Sequence, residues 1–164
     1  MSEVAELLER FRRGGEFLAS LTTGAAGAEL DYQPEPGAMG VRSIVCHLMD
    51  TEMMGHGRFS MMIAEDAPVI QPFNGTAWAE KLNYRQRKFS GAVEMFRRVR
   101  AENYDLLKDL PPESWSRQGT HAETGPITLL ELFRDHVQHT EEHVLEIREI
   151  RQKYKAAKQS GVIS

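Results

Sequence analysis

Apolar residues return every third or fourth position through most of this chain, a period that suits α-helices and argues against strands. Val4, Leu7, Leu8, Phe11, Leu18 and Leu21 trace a first stripe, loosened by Gly14-Gly15. The stretch from Gly24 to Gly40 is rich in glycine, alanine and proline and reads as a connector. Val41, Ile44, Val45, Leu48, Glu52, Phe59, Met62 and Ile63 form a second stripe, ended by Asp66-Ala67-Pro68, with Pro72-Phe73-Asn74-Gly75 continuing the loop. Thr76 is placed to cap a long third helix carrying Trp78, Leu82, Phe89, Val93, Phe96, Val99, Leu106 and Leu110, which Pro111-Pro112 stops. Glu113 to Pro126 holds Trp115 and His121 without a period and reads as a structured loop. Thr128-Leu129-Leu130-Glu131 is a capping-box signature. It opens a fourth helix with Leu130, Phe133, Val137, Val144, Ile147 and Ile150 inward, and the polar tail from about residue 156 is expected to fray.

Four amphipathic helices with no strand-period segment predict an all-α fold, a four-helix bundle with long inter-helix connections. At 164 residues the chain reads as one domain spanning 1–164, large enough to bury a core without staples. The connections after the first and third helices are long for an up-down bundle, which leaves crossover topologies open.

Composition removes several classes of function. The net charge of −4 favours neither nucleic acid nor an anionic membrane as a partner. Arg85, Arg87, Lys88, Arg97, Arg98 and Arg100 are interleaved with apolar residues at helical spacing, as on a solvated helix face. No apolar run approaches the roughly 20 residues that span a bilayer, and the acidic N-terminus lacks the apolar core of a signal peptide. The lone Cys46 rules out an intramolecular disulfide and a cysteine-rich zinc site, and reads as a small core residue. A cytoplasmic setting is expected. No glycine-rich phosphate loop and no Ser-His-Asp ordering is present.

The chemistry-bearing residues are histidines. His136, His139 and His143 recur on the fourth helix, and at about 100° per residue all three flank its core stripe. His47 flanks the core stripe of the second helix in the same way, sharing that side with Arg58 and Met54. If the two flanks face each other, His47 meets His139 and His143, and three imidazoles leave coordination positions open, as a catalytic metal requires. His136 then takes a supporting role, His56 is exposed, and His121 is peripheral. Asp50, Asp135 and Glu146 stand three or four residues from a histidine, as carboxylate partners or as solvated charges. Arg58 is a candidate for holding an anionic substrate, or for a salt bridge to a neighbouring helix. Glu142 could act as a general base only by turning toward the metal. The methionines Met49, Met53, Met54, Met61 and Met62 crowd one helix and suit core packing or a dimer face.

The segment from Gly37 to Glu52, with its His47-Leu48 pair, resembles the start of the second helix in the DinB/YfiT-like superfamily. The stretch from Gly125 through His139 and His143 to Ile147 resembles its last helix. Met39-Gly40 stands where the family pattern has tryptophan-serine, and Val144-Leu145-Glu146 where some branches carry a glycine-glutamine pair nearby. The resemblance implies a four-helix bundle binding a divalent metal (zinc, nickel or iron) on His47, His139 and His143. It further implies a small-molecule substrate, a low-molecular-weight thiol among the candidates, and a homodimer.

Two readings of function follow. In the first, the metal activates a thiol or water, for an S-transferase or a metal-dependent hydrolase. In the second, the chain is a non-catalytic, stress-related helical dimer that binds metal or none.

Overall fold

A computed structural model describes residues 2–163. The four expected helices are present as α1 (Glu3–Thr22), α3 (Val41–Ala64), α5 (Phe89–Leu107) and α6 (Leu129–Gln159), with short helices α2 (Ala28–Asp31) and α4 (Gly75–Lys81) between them. The chain is a four-helix bundle. Helix α1 runs through Gly14-Gly15 unbroken, because Gly14 is buried beneath Arg100 from α5. The connector after it holds α2, and α6 continues past Lys155 to Gln159. Thr128 caps α6 in the expected reciprocal pair with Glu131.

The long third helix of the sequence reading is two helices. Asn74, not Thr76, caps α4 by accepting from the Ala77 amide, and the chain breaks at Asn83, which has a φ of 51°. A 3-10 turn over Tyr84–Gln86 then leads into α5.

The strand-free expectation also needs amending. A small three-stranded sheet joins β1 (Val69–Ile70), β2 (Gln118–His121) and β3 (Gly125–Thr128). Val69 pairs with Thr120 in parallel, and Gly119 with Ile127 antiparallel across the β2–β3 hairpin. Strands this short carry no readable alternation. The 3-10 turn before the hairpin buries Trp115, whose ring lies 5.4 Å from Phe133.

Around the bundle, α3 packs on α5 and α6, and α1 packs on α6 and α5, so α1 lies diagonally across from α3. Two apolar clusters fill the interior. One gathers Leu18, Val41, Ile44, Phe96, Val144 and Ile147, the other Phe11, Phe59, Met62, Leu107, Phe133 and Val137. The order in which each helix visits them gives its direction. Helices α1 and α6 run one way, and α3 and α5 run the other. The parallel neighbours α3 and α5 therefore need a return connection along the length of the bundle. Residues 65–88, carrying β1 and α4, make that crossover.

A polar layer separates the two clusters. Arg100, 4% exposed, donates to the Phe11 carbonyl on α1, to Glu52 on α3 at 2.7 Å and to Thr140 on α6. Asn103 donates to Glu52 at 2.8 Å and His136 Nε2 donates to it at 3.0 Å. Arg100 is thus no part of a solvated face, since its side chain joins all four long helices at mid-height. Arg87 likewise turns inward to Asp50, while Arg85, Arg97 and Arg98 stay exposed. Met49 and Met62 are core residues and Met53 is half exposed, so the methionines form no single face.

Candidate metal centre

The expected meeting of the two helix flanks is present. His47 lies in the second turn of α3, and His139 and His143 lie one turn apart on α6. The Nε2 atoms of His47 and His139 are 3.1 Å apart. Ring centroids are 5.0 Å apart for His47–His139, 4.9 Å for His47–His143 and 4.6 Å for His139–His143, all edge to face. Each ring offers one nitrogen, and these nitrogens lie within 4.8 Å of one another. Two imidazoles on a tetrahedral ion at about 2.0–2.1 Å would hold their nitrogens about 3.3 Å apart, so the observed spacing suits a divalent metal.

The surroundings keep His47 and His139 neutral, the form that binds metal. Burial, reinforced by the charge of His143, pulls the His47 pKa down to about 4. Burial, with His143 and His47 beside it, takes His139 to about 3. His143 Nδ1 donates to Glu146 at 2.8 Å, which fixes the ring and leaves Nε2 for a ligand. The Nδ1 atoms of His47 and His139 are buried without a partner.

The crossover supplies the roof. Phe73 stacks 5.8 Å from His47 and 5.0 Å from Trp78 of α4. Gly75 abuts His47 so closely that a Cβ there would sit 2.8 Å from the ring, so only glycine lets α4 approach. Neither residue carried a sequence signal, because a roof built from a loop has no period.

Other expected residues take specific places. His136 stands apart from the cluster, bonded to Glu52, and Gly55 makes room for its ring. Asp50 is buried and accepts from the Tyr84 hydroxyl at 2.6 Å and from Arg87; it holds the crossover, not a histidine. Asp135 is exposed on α6. Glu142 is exposed and accepts from Gln138, and Arg58 donates to the Gln71 carbonyl. His56 is exposed but donates to Asn103 at 2.8 Å. His121 ends β2, and its Nδ1 faces the Glu123 and Thr124 amides of the hairpin turn. Cys46 is fully buried, and burial pushes its thiol up to about 11, which makes it inert. No described helix is long and apolar enough to cross a membrane.

Comparison with known proteins agrees with this architecture. The chain is 28% identical over 124 residues to YfiT of Bacillus subtilis, named as a candidate metal-dependent hydrolase, covering 75% of this chain and 70% of that one. It is 28% identical to a similarly named protein of Oceanobacillus iheyensis, over 73% of this chain and 69% of that one. The solved structure of YfiT, described as having an unusual four-helix bundle topology, superposes with a TM-score of 0.87 at 23% identity, over 94% of this chain and 90% of that one. A family model, that of the DinB superfamily, matches residues 8–147, and the chain belongs to that superfamily.

Proposed function

We propose that this protein is a metal-dependent enzyme in which His47, His139 and His143 hold a divalent metal (zinc, nickel or iron) that activates a small nucleophile. The observation that carries this reading is the convergence of three imidazole nitrogens within 4.8 Å, beside a cavity. When bound there, the metal lowers the pKa of a water or a thiol and supplies a nucleophile near neutral pH. The chain's own residues do the rest. Burial keeps His47 and His139 unprotonated, Glu146 aims His143 inward, and Phe73 shields the cluster from bulk water.

Transfer of a low-molecular-weight thiol is the finer reading, drawn from the family resemblance. Hydrolysis is the second reading, favoured by the names of the relatives and by the carboxylate of Asp135 on the wall of the same cavity.

Metal analysis of protein purified without a histidine tag tests the shared part. Near-stoichiometric metal is expected. Metal-dependent turnover is expected in a screen pairing thiols with electrophiles and, separately, water with esters and amides. His143→Ala should abolish turnover. Metal below about a tenth of an equivalent, with no response to added metal, would reject the proposal.

A further inference from the structure

Through His139 the imidazole cluster meets a cavity of about 260 Å³ whose walls also include Thr51, Arg58, Phe73, His121 and Asp135. Thr51 and Arg58 follow His47 on α3 at spacings of four and then seven residues, which sets all three within about 40° of one another around the helix. Their polar atoms are incompletely satisfied. Among the described residues, every other arginine that is not solvent-exposed has a carboxylate within 4.0 Å: Arg10, Arg42, Arg87, Arg100, Arg117, Arg134 and Arg151. Arg58 has none. One of its terminal nitrogens donates to the Gln71 carbonyl, while its Nε is buried without a partner. Thr51 Oγ1, on the same wall, is also buried and unpartnered. Asp135 shares the cavity but makes no ion pair with Arg58. The Phe73 ring lies 5.9 Å from the guanidinium carbon and 5.8 Å from the His47 ring, so one aromatic ring borders both.

A partly buried guanidinium with no carboxylate and an unpartnered Nε, and a buried hydroxyl with no partner, are costly, and an oxyanion is the ligand that offers such donors charge-assisted hydrogen bonds. We propose that Arg58 and Thr51 form an oxyanion subsite beside the three-histidine centre, binding the carboxylate or phosphate of a small substrate whose other end reaches the metal. The inference rests on the metal-centre reading for the substrate's orientation. The anion site itself stands on Arg58 and Thr51.

Thiols report on the metal directly, because a thiolate on cobalt(II) gives a charge-transfer band. Cobalt-loaded protein is titrated with 3-mercaptopropionate and 6-mercaptohexanoate, and with the matching mercaptoalcohols. At least one acid is expected to bind about tenfold or more tightly than its alcohol. Arg58→Gln should erase that preference without changing the affinity for the alcohol, and Arg58→Lys should keep part of it. Equal binding of acids and alcohols with no Arg58 Nε–H response, or a preference that survives Arg58→Gln, overturns the subsite. In metal-free protein, the Arg58 Nε–H resonance is followed during titration with propionate and with inorganic phosphate. A saturable shift with propionate identifies a carboxylate site, and one with phosphate identifies a phosphate site. No shift with either overturns the proposal. Cobalt that fails to bind while the Nε–H responds removes the metal reading and leaves the subsite; cobalt that binds without acid preference or Nε–H response does the reverse.

Discussion

His47 and His139 are drawn into the protein with their Nδ1 atoms unpartnered, and burial, aided by the neighbouring rings, makes both resist protonation. In the unfolded chain His47 and His139 take up protons near pH 6.5; in the folded protein they resist until about 4 and 3. Between those limits the unfolded state binds more protons than the folded one. Stability of the metal-free protein is therefore full above pH 6.5 and is lost as the pH falls toward 4, by up to about 1.4 kcal/mol per pH unit for each histidine. Urea unfolding between pH 7 and pH 4 should show this slope, and His47→Gln or His139→Gln should flatten it. An unchanged slope in both variants would show that the rings are not buried as described. At this scale much was legible beforehand. Helical spacing put the histidines on facing flanks, and Glu146 three residues beyond His143 could be named as its partner. Asp50 was equally well spaced from His47, yet its carboxylate turns to Tyr84 and Arg87, because sequence spacing does not reveal what lies across the helix.

Among elements, the polar layer decides how the long helices line up. The signal was present, since Glu52 falls within an otherwise apolar stripe of α3. Its partner Arg100 was hidden in a basic run that reads as solvated, because periodicity does not distinguish a stripe's edge from its centre. Burial alone would raise the Glu52 pKa; Arg100 beside it and hydrogen bonds from His136 and Asn103 outweigh that and hold it below the usual carboxylate range. Removing one partner strands the other in the core. Glu52→Ala is expected to cost about 3–5 kcal/mol, on the order of 10 °C in Tm for a chain of this size. Replacing Glu52 and Arg100 together with methionine should cost much less, because no charge is then stranded. Thermal unfolding of the three proteins checks both statements. Comparable losses in single and double variants would show that packing, not charge, sets the cost.

In the whole molecule, the return crossover is the feature periodicity misread. Trp78 and Leu82 have helical spacing with Phe89, and no glycine or proline marks the break at Asn83, so one long helix was the economical reading. The fold class survived because the four long helices carry most of the apolar stripe. The roof over the histidines had no counterpart in that reading, because it belongs to the crossover. A metal that joins α3 to α6 should stabilise the whole domain. At a zinc concentration about a hundred times Kd the gain is about 2.7 kcal/mol, on the order of 5–10 °C in Tm. Melting with zinc and with chelator should show it, and His47→Ala should remove it; a wild-type Tm indifferent to zinc would count against a bound ion.

The parallel pairing of α3 with α5 also orders events in time. His47 leaves the ribosome 92 residues ahead of His139, and the intervening chain includes the crossover and its roof. A nascent chain can thus present His47 but has no cluster to offer until α6 has been synthesised and docked. On the proposed reading, a metal held by all three histidines can bind only after α6 has docked on α3.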